Sequence, residues 1–536
     1  MSRELLALIL DAVGDDNGHP AFEGDVWFDG ATFKDDARFS NATFGGETSF
    51  IGVTFERDAL FDEATFVGDT WFSNSNFSNE ASFELATFNA GAQFEETTFG
   101  REASFIGVNF GGQAWFSGAI FTGEARFEEV AFGGRAQFEH AAFADKAWFE
   151  EATFSAGAHF NDVAFSGKSW FYGAIFTGKV SFKRAAFEVT ESFGLVVARV
   201  IDLSHVVFSR RVLLQVSAAK FNCNETRFEA GVVLQLHNAE ATFRRAEFAA
   251  PSTIANASHP PAGWVRSVEL EIVEWEVEIG QRTPALTSLE GADVTDLVVT
   301  DVDLSRCRFA GAHHLDTLRL EGDCKFALPP KGIQCGWRWP PVWRWTRRQV
   351  LTEECNRRAG LKNPEWTTAS QSAVPPVQLN AKRVAAVYRD LRKAQEDSKN
   401  EPGAADFYYG EMEMRRTDRS TAWPERLILF LYWLVSGYGL RMTRALICLI
   451  SLIAIAMVIL YLVGFGGSPP GSRAVPPPNL GTCLLFVVES VVSLQPKLAG
   501  LPSLTWQGEV VRVAMRLLGP LLLGLAVLAI RNRVKR

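Results

Sequence analysis

The chain has 536 residues and a formal net charge of −9, so it is too long for one compact domain. Its aromatic content is 12% and 43 residues are phenylalanine, a bias that points to a repeat rather than an aromatic binding site. Seven cysteines (Cys223, Cys307, Cys324, Cys335, Cys355, Cys448, Cys483) without C-x-x-C spacing exclude a disulfide framework and fit a reducing compartment.

Met1 to Val13 reads MSRELLALILDAV, a short apolar helix. Glu4 and Asp11 interrupt it and no small-residue cleavage site follows, which argues against an export signal. A cap over the open end of a repeat, residues 1–20, is the expectation.

From Phe22 to Phe193 a phenylalanine recurs at alternating steps of six and five residues without a slip. An α-helix turns about 100° per residue and would throw successive rings to opposite sides. A flat strand fails as well, because five residues reverse its face. Spacers rich in Gly, Thr, Ser, Asn and Asp also oppose helix. The remaining solution is a chain that turns a corner after each short strand and sends every ring inward. The predicted inward stack is Phe28, Phe33, Phe39, Phe44, Phe50, Phe55, Phe61, Phe66, Phe72, Phe77, Phe83, Phe88, Phe94, Phe99, Phe105 and Phe110. Ala31, Ala37, Ala42 and Ala64 stand two residues ahead of a Phe and share its face.

Units such as Asp62-Glu63-Ala64-Thr65-Phe66 and Glu84-Leu85-Ala86-Thr87-Phe88 resemble the pentapeptide-repeat family. The resemblance implies a mainly β fold, a right-handed quadrilateral β-helix (solenoid). Regular coils are assigned to 21–195 and degenerate coils to 196–330. Every second unit carries an extra residue, so four sides take about 22 residues and coils stack at about 4.8 Å. Residues just before Phe then face outward. Trp27, Trp71 and Trp115 share one outer face two coils apart, while Trp148 and Trp170 stack on the opposite face. These five indoles either cover neighbouring Phe-bearing corners or form a stripe that is the candidate partner surface.

After Phe193 the rhythm loosens at Phe208, Phe221, Phe228, Phe243 and Phe248, which suggests coils with longer excursions. Val265 to Ile279 reads as irregular strand or loop. His313-His314 lacks an acid or thiol at ligand spacing, so no metal is assigned. Residues 331–377 are a Trp/Arg-rich segment and linker. There Trp337, Trp339, Trp343 and Trp345 interleave with arginines, as suits a solenoid cap, a lipid headgroup layer or stacked bases. A helical hairpin, 378–420, follows and is broken at Pro402-Gly403; Tyr408, Glu411 and Arg415 lie on it.

Residues 422–441 predict an interfacial helix bearing Trp423, Tyr432 and Trp433, which with the four earlier indoles form the candidate membrane-interface set. Residues 443–465 predict a transmembrane helix, 466–507 a loop with a short re-entrant or pore-like helix, and 508–530 a second transmembrane helix kinked at Gly519-Pro520. Arg512 and Arg516 must snorkel, pair with Glu509 or line a wet interior. Bases before the first span and after the last put both ends in the cytoplasm, a two-pass protein of the bacterial cytoplasmic membrane. Span, short helix and span also resemble the pore module of two-helix cation channels. Val492-Ser493-Leu494-Gln495-Pro496 stands at the filter without its glycines.

No phosphate loop, nucleophile elbow or His/Cys cluster is present, so no catalytic residue, cofactor or enzymatic activity is assigned. The leading expectation is a membrane-anchored scaffold presenting a rigid acidic rod to a cytoplasmic protein, with membrane lipid as a second partner, no nucleic acid, and room for a homo-oligomer. The alternatives are a tetrameric pore with a β-helical regulatory domain and a DNA-mimicking topoisomerase binder. The latter is a role some members of the resembled family have.

Overall fold

The computed structural model describes residues 2–13, 19–257, 283–330, 347–360, 366, 379–466, 479–492 and 504–534. Two units, Met1–Gln378 and Leu379–Arg536, are described in turn.

In the first unit the six-and-five rhythm closes into a four-sided parallel β-solenoid. The first coil contributes strands Ala21–Phe22, Val26–Trp27, Thr32–Phe33 and Ala37–Arg38, one to each face. Each pairs in parallel with the residue 22 further on, as in Ala21↔Thr43, Val26↔Thr48, Thr32↔Thr54 and Ala37↔Ala59. The third face is an 11-stranded sheet that isolated bridges carry on through Asp293 and His313, giving about 13 coils.

The two step lengths make two kinds of corner. At the five-residue steps Gly30, Asn41, Gly52, Glu63, Asn74 and Leu85 have φ between 56° and 66°. Each is the third residue of a turn closed by a bond such as Ala31 N–H to Phe28 C=O, 2.9 Å. Positive φ at that position is the type II signature. The six-residue steps make wider corners between these turns.

Inside, the rings form four columns. Phe44 and Phe66 lie 4.8 Å apart at 1°, and Phe50 and Phe72 4.8 Å at 2°, one ring per coil. The columns of the second and fourth faces meet edge-to-face across the axis, as in Phe105 and Phe116 at 5.4 Å and 90°. Stacking along a column and T-contacts across it are both favoured aromatic geometries. Small residues two places ahead of Phe are buried with it; where the slot holds a hydroxyl, that group is satisfied locally. Ser75 Oγ donates to Phe50 O at 2.5 Å and Thr97 Oγ1 to Phe72 O at 2.6 Å.

Beyond Phe193 the coils shorten. Val207 pairs with Arg227 and Arg227 with Glu247, 20 residues per coil. Corners straighten into long strands, Ser192–Asp202 and Val212–Asn222. The expected excursions reduce to one: 45 residues separate Glu240 from its partner Ala285, against 20 between Lys220 and Glu240. Val265 to Ile279 lies in that insertion, outside the described residues.

Helix α1 (Arg3–Ala12) precedes the first coil; Leu6 is buried, and Ala21 N–H donates to Val13 O at 2.8 Å. At the far end stands a helix that the sequence alone does not predict, α2 (Thr352–Gly360). Its Thr352 Oγ1 donates to Ser305 O at 3.2 Å, and Glu353 accepts the amide of Phe309. Glu354 is fully buried and bridges Arg348 and Arg358, each at 2.6 Å. A carboxylate held between two guanidinium groups is what lets so polar a helix be buried.

The second unit begins with a hairpin, α3 (Ala381–Asp397) and α4 (Glu401–Thr417). Asn380 and Asn400 cap them by accepting from Arg383 N and Gly403 N. Pro402-Gly403, read from sequence as a break, sit in the first turn of α4, where a missing N–H costs nothing. Gly410 lies against the Tyr388 ring, leaving no room for a Cβ.

Next come α5 (Trp423–Ser436), α6 (Met442–Ile459) with a π-turn over Leu460–Gly464, α7 (Leu480–Val492) and α8 (Trp506–Val534). Helix α8 runs unbroken through Pro520. Ala456, Leu460, Phe486, Val487 and Met515 form the core shared by α6, α7 and α8.

Candidate interaction faces and membrane-interface residues

The registers place Trp27, Ser49, Trp71, Gln93 and Trp115 in one row on the second face. Two coils separate Trp27 from Trp71, about 9.6 Å of stacked backbone. Their indoles nevertheless lie 6.4 Å apart and nearly parallel, closing over Ser49. Trp27 is 58% exposed and the other two are half-buried. A Cβ at Gly91 would stand 3.1 Å from the Trp115 ring, so glycine there makes room for the indole.

Opposite, the fourth face carries Arg38, Leu60, Ser82, Ser104, Arg126, Trp148 and Trp170 in register. Trp148 and Trp170 stack at 4.0 Å and 13°, one coil apart. Carboxylates border this row on both sides: Asp58, Glu80, Glu102 and Glu124 before it, Asp62, Glu84, Glu128 and Glu150 after it. In-register stacking brings like charges one coil apart. Partial burial, then Asp58, Glu102, Asp62 and Glu84, hold the Glu80 carboxyl above its usual range. Burial, Glu128 and Glu151 do the same for Glu150.

Arg126 relieves part of this crowding, with Glu128 at 3.0 Å and Glu102 at 3.6 Å. Glu128 is therefore an ion-paired residue with a mostly buried side chain. Lys146 bonds Glu124 at 2.5 Å. Asp58, Asp62, Glu80 and Glu84 have no cation within ion-pair distance among the described residues, although Ser82 and Ser104 donate hydrogen bonds to Asp62 and Glu84. The fourth face thus holds Asp58, Asp62, Glu80 and Glu84 without a paired cation, then the ion-paired Glu102, Glu124 and Glu128, then a pair of stacked indoles. Among the described residues no three or more His, Cys, Asp or Glu converge as a metal site, and six cysteines are free thiols.

Of the membrane-interface set, Trp337, Trp339, Trp343 and Trp345 lie outside the described residues. Trp423 is 74% exposed at the start of α5. Tyr432 and Trp433 turn inward. Trp433 Nε1 donates to Tyr409 OH at 3.1 Å, and Arg416 and Arg444 sit over its ring at 4.6 and 5.0 Å. Tyr432 packs on Tyr438 at 5.8 Å, and burial raises its hydroxyl above the usual range. On α4, Glu411 is buried between Arg389 at 3.2 Å and Arg392 at 3.3 Å, and Arg415 pairs with Glu425 at 2.9 Å.

Two helices, Met442–Gly464 and Trp506–Arg531, are long and apolar enough to cross a membrane, with only 17% and 28% of their most apolar windows buried. Ile447, Ile450, Leu517 and Leu521 are among the side chains left exposed. Arg512 pairs with Glu509 one turn away. Of the filter-like stretch Val492 to Pro496 only Val492 is described, at the end of α7.

A family model described as pentapeptide repeats (9 copies) matches residues 19–54, 50–98 and 86–131. No curated protein and no solved structure matches the chain. Over the first regular coils the chain is therefore similar to pentapeptide-repeat proteins, and the 22-residue register found there continues past the matched residues to Phe187.

Proposed function

We propose that the protein is a membrane-anchored scaffold whose solenoid offers its fourth face to a basic protein partner in the cytoplasm, with both chain ends on that side. The observation that carries the anchor is the apolar exterior of α6 and α8: side chains such as Ile450, 65% exposed, and Leu517, 68% exposed, have no protein cover. Water would be a poor solvent for so large an apolar surface, and lipid a good one. Arg415, Arg416, Arg419, Arg426, Arg441 and Arg444 ahead of the first span, and Arg531 and Arg533 at the end of the second, favour the cytoplasmic side. The carboxylates around Leu60, Ser82 and Ser104 support a cationic partner, because Asp58, Asp62, Glu80 and Glu84 stand one coil apart as like charges and a cation placed among them would offset that repulsion.

Washing membranes with alkaline carbonate tests the anchor: the full chain is expected to stay with the lipid, and its release would contradict the reading. A photo-crosslinking residue at Trp170 tests the face. Adducts are expected there and not at Thr98 on the third face; equal yields at both would remove the fourth face from the proposal.

A further inference from the structure

Helix α5 and the membrane-length helix α6 meet at a bend where three consecutive residues are left-handed: Gly437 at φ 53°, Tyr438 at 59° and Gly439 at 73°. Both glycines are required by their neighbours. A Cβ on Gly437 would stand 2.8 Å from Arg441 Cγ, and one on Gly439 2.7 Å from Tyr432 OH. Tyr438 is the anomaly, since a bulky residue resists this backbone. It is nonetheless 1% exposed, so the surroundings hold it in place.

What holds it comes from the hairpin. Tyr438 OH donates to Glu413 Oε1 at 3.1 Å, and Arg416 Nε donates to Tyr438 OH at 3.1 Å. Arg416 Nη2 also reaches both oxygens of Glu413, at 3.1 and 3.0 Å. Glu413 is 4% exposed, and both it and Arg416 belong to α4. The Tyr438 ring stands edge-on to Tyr409 of α4, 5.0 Å away. Trp433 of α5 is covered on one side by Arg416 of α4 and contacted by Arg444 of α6, whose Nη1 also donates to Trp433 O at 3.2 Å. Burial and Glu413 push the Tyr438 hydroxyl upward, so it remains a donor at any physiological pH. Helix α4 thus supplies the half-buried Arg416 and the buried Glu413 that hold Tyr438, and α5 and α6 join them through Trp433.

We propose that Glu413, Arg416 and Tyr438 form a latch through which the hairpin α3–α4 fixes the bend between α5 and α6, so that the order of the hairpin and the direction of the membrane-length helix rise and fall together. The bend is strained without the latch, and the latch is supplied by an element 25 residues away in sequence. Release of such a contact would convert an event on the hairpin into movement of a helix. This goes beyond the scaffold reading and does not need α6 to lie in lipid.

Hydrogen exchange of the full chain in detergent micelles tests it, reading peptides over 437–445 and over 403–417. Tyr438→Phe keeps the ring and removes only the hydroxyl; Glu413→Gln changes only the hairpin side. Each is expected to speed exchange over 437–445 about tenfold, and Tyr438→Phe to speed exchange in α4 as well. Arg415→Gln, which breaks the exposed pair with Glu425, is expected to move neither. Wild-type exchange at 437–445 in Glu413→Gln would overturn the latch. Should that variant lose its helical signal altogether, Tyr438→Phe decides: unchanged exchange in α4 overturns it. Tyr438→Gly separates latch from backbone. It removes the strain but is expected to loosen the bend, and full protection there would mean the backbone alone holds it.

Discussion

The first eight coils and the coils after Phe193 follow one plan with different cores. In the early coils all four inward positions are Phe, 22 residues make a turn, and the rings run in unbroken columns. In the later ones 20 residues make a turn, and the column that runs through Phe138, Phe160 and Phe182 continues as Leu203, Cys223, Phe243, Leu289 and Phe309. Coil length and column composition change together: in the 20-residue turns Leu203 and Cys223 stand in the column, Phe221 is buried in the small-residue slot two places before Cys223, and Phe243 returns in the next coil. An inward residue is right only for the neighbours in its own layer.

Substitutions that exchange features between the two regions test this directly. Phe105 is stacked between Phe83 at 5.0 Å and Phe127 at 4.8 Å and has no exposed surface. Phe105→Ala is expected to cost about 3–5 kcal/mol in chemical denaturation, by leaving a void in a column that cannot collapse. At the far end of the later coils, burial raises the Glu353 carboxyl from 4.5 to about 7, against the opposing pull of the amides it accepts from Phe309 and Ala310. The folded state then keeps a proton that the unfolded chain has lost, so stability falls as pH rises from about 4.5 to 7 and levels off above. The loss is up to about 3 kcal/mol. Denaturation midpoints across pH 5–8 check it, and Glu353→Gln is expected to flatten the slope.

Smaller effects discriminate more finely. Cys223→Phe restores the repeat residue in a 20-residue coil and is expected to destabilise by about 1–3 kcal/mol through overpacking, visible as a lower melting temperature. A stabilised variant would show that the layer has room for a second ring beside Phe221. Leu85 is 62% exposed at φ 56° in a type II corner. Leu85→Gly is expected to stabilise by about 0.5–1 kcal/mol in the same assay, because glycine takes that backbone without strain.

The early coils were legible because their rule is absolute: one residue type, two step lengths and no exception. The outer rows followed from the same register, which is why Trp27 and Trp71, and Trp148 and Trp170, could be paired from spacing alone. The later coils hide the same geometry, since Leu203 or Cys223 in a Phe slot carries no letter-level signal and the shortened turn shifts the count. Helix α2 was illegible for another reason. TEECNRRAG has no apolar stripe, and its burial rests on the Arg348–Glu354–Arg358 cluster, which only folding assembles. Tyr432 and Trp433 have the composition of interface anchors; their inward orientation depends on Tyr409, Arg416 and Tyr438, more than a turn of chain away. Gly437-Tyr438-Gly439 reads as loop, and nothing local announces that Glu413 will hold its tyrosine.

Distances along one face test the 22-residue coil most directly. Thr65 and Thr153 lie four coils apart on the first face, through Thr87, Asn109 and Ala131. With native cysteines replaced and spin labels on Thr65→Cys and Thr153→Cys, dipolar spectroscopy is expected to give a backbone separation of about 19 Å, rising by about 4.8 Å when Thr43 replaces Thr65. Separations that fail to grow in that single-coil increment would contradict the solenoid and everything built on its faces.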